Sequence, residues 1–205
     1  MLCVISALCA IEAQAYGGNE YNEHLTYYAY VKLNGVAVWR ASWNGEYPVN
    51  RGSNVMIVNP SSCTVQEWHN FDTFLDPVAA ARLRDYLQGL SDDTVLVGVS
   101  CDTADIYLSD AISTLSALGV NVSDVVRRGA WVFVAVKGDP SKTVFDKIRG
   151  NPMQSKPRQI RVNANFGKCD LLLKQVSCKL VHYMHSLLLT MQLCGLCMLA
   201  SQAAK

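Results

Sequence analysis

Six consecutive residues, Trp131 to Val136, are aromatic, β-branched or alanine, and no other stretch constrains the fold as strongly. The run lies in RRGAWVFVAVKG, where two arginines and a glycine precede it and Lys-Gly follows. A half-exposed strand alternates polar and apolar residues, so an unbroken apolar run predicts a central strand that is buried on both faces. The rest of the chain must then supply elements that cover both faces.

Two β-hairpins are predicted upstream of this strand. In the first, Asn34-Gly35 separates two β-rich runs, which is the strongest local signal for a hairpin. In the second, Pro60-Ser61-Ser62 supplies the turn. The predicted strand pairs are 26–33 with 36–41 and 54–59 with 64–71.

Helices are predicted between and after the later strands. Asp76 followed by Pro77 is typical of a helix start, because aspartate accepts hydrogen bonds from free amides and proline lacks a donor that the first turn does not need. Asp102 or Thr103 is expected to cap a second helix. The predicted helices are 77–89, 103–119 and 141–149, and a strand is predicted at 94–100.

Five motifs stand in the order and spacing of one known family. They are RGSNVMIVNP (51–60), NFDT (70–73), LVGVSCDTA (96–104), LSALG (115–119) and RRGAWVFVAVKG (127–138). On these motifs, residues 25–150 resemble the interleukin-like EMT inducer (ILEI)/PANDER domain family. The resemblance implies an α+β fold, a compact β-β-α domain with two mostly antiparallel sheets flanked by helices.

Composition divides the chain into four parts. Residues 1–15 are apolar and end in Ala-Gln-Ala, which favours a secretory signal peptide over the alternatives of a truncated start or an ordinary buried segment. A flexible lead (16–24), the ILEI/PANDER-like domain (25–150) and an atypical extension (151–205) follow. Within the extension, the apolar stretch 180–200 is long enough to span a bilayer and also resembles a removable anchor signal, but we favour an extension outside the family's domain.

The charge distribution argues against nucleic-acid binding. Residues 16–150 hold 11 Lys and Arg against 15 Asp and Glu, hence 11 − 15 = −4, whereas the residues after 150 hold seven basic and one acidic residue, hence 7 − 1 = +6. Phosphate binding needs clustered basic residues, which the acidic domain lacks. Contact of the basic, partly apolar extension with a membrane stays open.

Two of the eight cysteines lie in the expected domain, Cys63 and Cys101. They are predicted either to form a disulfide or to remain two free thiols, since pairing requires a specific approach of the two Cα atoms. Cys194 and Cys197 form a C-x-x-C pair, but its spacing to other cysteines and histidines fits no regular zinc finger. No metal site and no cofactor are predicted.

Three residues are candidates for ligand binding. The version of this domain in the stem of protein O-mannose N-acetylglucosaminyltransferase resembles a small lectin for terminal β-linked N-acetylglucosamine, and its ligand-binding positions fall on Arg51, Asp102 and Arg128. Forked guanidinium donors and a carboxylate suit adjacent hydroxyls and an acetamide oxygen. The alternative is an internal ion-pair network, or a helix cap in the case of Asp102. Trp39, Trp43 and Trp68 are candidates for a ring that stacks on sugar, with packing at an edge strand as the alternative.

The predicted function is recognition without catalysis. The sequence shows no nucleophile elbow, P-loop or carboxylate pair suited to acid-base chemistry, so no enzyme is predicted. The first hypothesis is a secreted, extracellular glycoprotein that binds a glycan or another glycoprotein. The second is a cytokine-like secreted ligand for a cell-surface receptor, and the third is an accessory domain of a larger protein. Asn121-Val122-Ser123 is an N-glycosylation acceptor.

Overall fold

Nine strands and two helices make up the described part of the chain. The computed structural model describes residues 8–17, 29–41, 49–150 and 158–166. The elements are β1 (Cys9–Gly17), β2 (Tyr30–Leu33), β3 (Val36–Arg40), β4 (Gly52–Asn59), β5 (Thr64–Phe71), α1 (Ala79–Gly89), β6 (Val95–Asp102), α2 (Ile112–Ala117), β7 (Ala130–Val136), β8 (Asp139–Ile148) and β9 (Arg158–Phe166).

The apolar run identified in the sequence is strand β7. All seven of its residues are buried, and it pairs with β6 on one side and β8 on the other. The predicted central strand is therefore confirmed. Both predicted hairpins are also present, as β2 with β3 and β4 with β5.

All nine strands belong to one hydrogen-bonded mixed sheet. Its main path runs β3-β2-β1-β6-β4-β5, with β7 and β8 continuing from β6 and with β9 beside β1. Every pairing is antiparallel except that of β1 with β6, which joins Tyr16 to Cys101 and Gly17 to Asp102. The α+β class agrees with this mixed sheet. The expectation of two separate sheets is not confirmed, because the short parallel ladder connects all the strands.

The sheet folds over to enclose the first of two main apolar clusters. That cluster combines buried residues of β1, β2 and β9 with those of β4, β6 and β7. The second cluster covers the opposite face of β4, β6 and β7 with the apolar sides of α1 and α2. Both helices thus pack on one face of the sheet. Burial of these apolar side chains supplies the main stabilisation of such a fold.

The sheet includes two strands, β1 and β9, that lie outside residues 25–150. β1 includes residues 9–15 of the segment 1–15 that is predicted to be a signal peptide, and all nine of its residues pair with β9, which falls in the expected extension. Leu8–Phe166 forms a compact unit. Residue 15, the predicted boundary, lies within β1, and residues 1–7 lie outside the described residues, so the predicted division into four parts stays a prediction.

Two helix predictions need correction. Residues 141–149 lie mostly in strand β8 instead of a helix, because they complete an antiparallel ladder with the buried strand β7. The second helix, α2, begins only at Ile112, after a short 3-10 turn at Ser109–Ala111. Asp102 is consequently the last residue of β6 and caps no helix.

The cysteine pairing differs from the predicted one. Cys63 forms a disulfide with Cys9, across a sequence separation of 54 residues, and Cys101 is a buried free thiol. Cys101 lies inside β6, paired with Gly52 of β4, whereas Cys63 lies in the turn after β4 at the far end of that strand. A bond between Cys63 and Cys101 would have to span the length of β4.

The predicted membrane contact concerns a part of the chain outside the described residues. The stretch 180–200 lies there, as do residues 18–24 of the expected lead. Among the described residues, no helix is both long enough and apolar enough to cross a bilayer.

Candidate functional site

The three predicted ligand-binding residues meet where several strands end. Arg51 precedes β4, Asp102 ends β6, and Arg128 lies in the loop before β7. Gly17, the last residue of β1, pairs with Asp102. A Cβ atom added to Gly17 would lie 2.7 Å from the carbonyl oxygen of Arg128, so the glycine permits close contact between β1 and this loop. We call Arg51, Asp102 and Arg128 the charged cluster.

Arg51 is held in place by a neighbouring loop. Its guanidinium forms a forked pair with Asp72, with Nη2 to Oδ2 at 3.0 Å and Nε to Oδ1 at 3.4 Å. The same guanidinium carbon lies 4.8 Å from the centroid of the Phe74 ring. Asp72 also accepts hydrogen bonds from the backbone N–H groups of Phe74 and Leu75. These contacts orient the guanidinium plane before any ligand arrives.

Asp102 is a mostly buried carboxyl between two arginines. Burial raises the pKa of Asp102 to about 6, against the opposing effect of the positive charges of Arg51 and Arg128 and the hydroxyl of Thr103. Both Asp102 and Arg128 have left-handed backbones, with φ of 62° and 67°. Residues other than glycine adopt this backbone conformation rarely, and residues that are strained in this way cluster at functional sites.

Arg128 brings an unused donor to the cluster. Its Nε atom is buried and has no hydrogen-bond partner among the described residues. A buried donor without a partner carries a desolvation cost that a ligand oxygen would remove. The guanidinium of Arg51 thus pairs with Asp72, which lies outside the predicted network of Arg51, Asp102 and Arg128, and the binding role of these three residues stays a prediction.

Asp105, which the sequence did not single out, lies three residues after Asp102. Burial raises its pKa, Arg127 acts in the opposite direction, and its Oδ1 atom is buried without a partner among the described residues. The sequence signal was its position three residues after Asp102. The helix predicted from residue 103 concealed this signal, because Asp105 would take a different position relative to Asp102 if it lay in a helix.

The predicted aromatic candidates have mixed positions. Trp68 on β5 is 41% exposed, and its ring centroid lies 6.5 Å from that of Trp39 on β3, which packs against the apolar core. The Trp39–Trp68 pair lies at the free edges of the sheet, where packing explains it. Trp43 lies outside the described residues. Phe71 and Trp131 are buried, as expected for core aromatics.

A cavity of about 400 Å³ lies away from the charged cluster. Its lining includes Gln88 of α1 and Thr114 of α2. Asp92, shortly before β6, and Lys137, directly after β7, also line it, whereas Asp102 and Arg128 lie at the other ends of these two strands. In the part of the chain that the structure describes, no group of three His, Cys, Asp or Glu side chains is arranged to hold a metal ion.

The glycosylation acceptor is accessible. Asn121 is exposed, and its Oδ1 accepts hydrogen bonds from the N–H of Ser123 at 3.2 Å and from its hydroxyl at 2.7 Å. Modification of Asn121 stays a prediction.

Comparisons with known proteins agree with the motifs. Residues 51–139, which include the whole charged cluster, match the model of the family described as interleukin-like EMT inducer. Protein FAM3D of Mus musculus is 33% identical over 112 residues, which cover 53% of this chain and 49% of that protein. The cell migration-inducing and hyaluronan-binding protein of Homo sapiens is 33% identical over 101 residues, which cover 48% of this chain and 7% of that protein. The chain thus spans about half the length of the first relative and a small part of the second.

Proposed function

We propose, from the premise that residues 51–139 of this chain belong to the interleukin-like EMT inducer family, that the protein is a secreted recognition domain without catalytic activity. Its ligand is a carbohydrate of the β-linked N-acetylglucosamine type, held by the charged cluster Arg51, Asp102 and Arg128.

One observation carries the proposal. The mostly buried carboxyl of Asp102 is influenced by the positive charges of both Arg51 and Arg128, and the buried Nε of Arg128 lacks a partner among the described residues. A ligand that donates from a hydroxyl to the carboxylate and accepts from Nε through an acetamide or hydroxyl oxygen satisfies both groups. A sugar with an acetamido group offers this combination without bringing a net charge.

Two further findings support the proposal. The human relative, of which the match covers 7%, is named as hyaluronan-binding, and hyaluronan is a carbohydrate. The disulfide Cys9–Cys63 favours an oxidising compartment, as expected for a secreted protein.

A glycan array probed with the full chain tests the proposal. We expect selective binding to glycans that end in β-linked N-acetylglucosamine, and at least a tenfold loss (about 1.4 kcal/mol) in Arg128→Ala, because the variant removes the unpaired donor. Arg84→Ala is the matched control, since Arg84 lies on α1 and pairs with the adjacent Asp85. Folded protein that binds no glycan, or an Arg128→Ala variant that binds as well as Arg84→Ala, would reject the assigned site.

A second candidate function is that of a cytokine-like ligand for a receptor protein. The family description, interleukin-like, and the exposed apolar side chains Leu75, Ile106 and Tyr107 favour it. Receptor capture that is unaffected by Arg128→Ala and by competing sugar would support this candidate over the first.

A further inference from the structure

The cavity of about 400 Å³ has walls from four separate parts of the chain. Gln88 belongs to α1, Thr114 to α2, Asp92 to the loop between α1 and β6, and Lys137 to the turn between β7 and β8. The volume lies within the range of small-molecule sites, about 300 to 1,000 Å³. Because polar and charged side chains line it, we call it the polar cavity.

Hydrogen bonds fix the walls of the polar cavity relative to one another. The backbone N–H of Lys137 donates to the carbonyl of Thr94, and the N–H of Asp93 donates to the carbonyl of Lys137, both at 2.9 Å. Between the two helices, Nε2 of Gln88 donates to the hydroxyl of Thr114 at 3.2 Å. The cavity is therefore preformed, which lowers the cost of ordering its walls around a ligand.

Gly138 allows the carboxyl of Asp92 to lie against the turn between β7 and β8. Gly138 has a φ of 79°, which favours glycine, and a Cβ atom added to it would lie 2.7 Å from Oδ1 of Asp92. The carboxyl thus occupies the space that another side chain at this position would fill. The turn that carries the ammonium group of Lys137 therefore also borders the carboxyl of Asp92.

The two charged groups of the polar cavity are accessible and unpaired. Asp92 is exposed and Lys137 is half-buried, and neither side chain has a hydrogen-bond or ion-pair partner among the described residues. Opposite charges that line one cavity without pairing can both be paired by one ligand that carries the complementary charges. Hydrogen bonds between ionised groups are about twice as strong as those between neutral groups, so such a ligand gains from both contacts.

These features indicate a small ligand with one positive and one negative group. The described residues that line the cavity include no aromatic ring on which a sugar could stack, and a ligand with a single charge would meet one group of its own sign. We propose that the polar cavity binds a zwitterion of the size of an amino acid or a dipeptide, with its ammonium group on Asp92 and its carboxylate on Lys137. The hydroxyls of Ser113 and Thr114 line the same cavity and serve its other polar groups. This inference is independent of the proposed carbohydrate function.

A nuclear magnetic resonance titration of the full chain tests the inference. The probes are alanyl-leucine, its N-acetyl form and its C-terminal amide, which differ in their terminal charges. We expect alanyl-leucine to shift the backbone amide signals of Thr114, Lys137 and Gly138 with a Kd of about 1 mM or lower. Each blocked form should bind at least about tenfold more weakly, because it lacks one of the two charged contacts.

Two variants assign each charge of the ligand to its partner. Asp92→Asn should bind alanyl-leucine and its N-acetyl form with equal, weakened affinity, and Lys137→Gln should do the same for alanyl-leucine and its amide. Asp85→Asn and Lys142→Gln are the matched controls, because both side chains are exposed and lie outside the lining of the cavity. The controls should bind all three probes as the wild type does.

Several outcomes would overturn the inference. They are the absence of a saturable shift at about ten times the expected Kd, equal affinity for the charged and blocked peptides, and shifts confined to amides outside the polar cavity. Binding of methyl β-N-acetylglucosaminide that Asp92→Asn weakens would assign the cavity to a sugar and also overturn it. Arg128→Ala should bind alanyl-leucine as the wild type does, so failure of the proposed carbohydrate function would leave this test intact.

Discussion

Asp102 has a pKa near 6 because burial disfavours its charged form more than Arg51 and Arg128 favour it. Between about pH 4 and pH 6, the folded protein retains a proton that the unfolded chain has released. Asp102 therefore contributes stability that is fully present below pH 4 and is lost as the pH rises through 6. At neutral pH, the carboxylate is held at an energetic cost that a hydroxyl-bearing ligand would offset.

Replacing Asp102 by asparagine should remove this pH dependence. In the wild type, the contribution of Asp102 to the free energy of unfolding should fall by up to roughly 3 kcal/mol as the pH rises from about 4 to about 7. Each unit of difference between the folded and unfolded pKa corresponds to about 1.4 kcal/mol. Urea unfolding of the wild type and Asp102→Asn across this range measures the difference between their slopes. If the free energy of unfolding depended on pH in the same way for the wild type and Asp102→Asn, the pKa of Asp102 would be the same in the folded and unfolded states.

Gly98 on β6 leaves the space that the ring of Phe133 occupies. A Cβ atom at Gly98 would lie 2.1 Å from that ring, which is fully buried and stacks on Trp131. We expect Gly98→Ala to lower the free energy of unfolding by about 1 to 3 kcal/mol, since the ring has no room to move. Thermal and urea unfolding measure this loss.

Gly89→Ala is the matched control for this substitution. Gly89 ends helix α1, and an added Cβ meets nothing within 4 Å. Its stability should be unchanged or slightly higher, because alanine reduces the freedom of the unfolded chain. Equal destabilisation of the two variants would contradict the packing explanation.

At the scale of elements, β1 connects parts of the chain that are distant in sequence. It pairs with β2, with β9 near the other end of the described chain, and with the last residues of β6. Cys9 at its start also bonds to Cys63 in the turn between β4 and β5. This strand therefore joins three strands that are distant from one another in sequence, β2, β6 and β9.

Loss of the Cys9–Cys63 bond should destabilise the folded protein substantially. The bond closes a loop of 54 residues, so its removal frees the unfolded chain and should lower the free energy of unfolding by about 4 kcal/mol. Urea unfolding of Cys9→Ser with Cys63→Ser, in parallel with the wild type, measures the effect. A reducing agent should destabilise the wild type and leave the double variant unchanged; sensitivity of both proteins to the agent would contradict the assigned pairing.

At the scale of the whole molecule, the family match covers only part of the compact unit Leu8–Phe166. Residues 51–139 contain the charged cluster and the helices but lack β1, β2, β3, β9 and all of β8 except Asp139. Without these strands, the apolar face of β4, β6 and β7 that they cover would be exposed to water. Exposure of a surface of this kind favours aggregation.

A fragment of residues 51–139 should therefore not fold on its own, whereas residues 8–166 should. Amide hydrogen exchange and near-ultraviolet circular dichroism of the two fragments check this expectation, since a packed core protects amides and orders aromatic rings. Cooperative unfolding of the shorter fragment with native-like aromatic signals would show that β1 and β9 are dispensable.

The sequence by itself determined the elements whose signals are local. The apolar run of β7 and the turn residues of the two hairpins each act within a few neighbouring residues, so pattern and turn chemistry were sufficient. The motif order also identified the family and the residues Arg51, Asp102 and Arg128. Their proximity, though not their role in binding, is a property of the structure.

Only the tertiary structure decided the features that depend on distant partners. Residues 9–17 and 158–166 become strands because they pair with each other, and 141–149 became mainly a strand because the buried edge of β7 required a partner. The same closure brought Cys9 to Cys63. The burial that raises the pKa of Asp102 arises from strand ends that converge from separate parts of the chain, and no local pattern encodes that convergence.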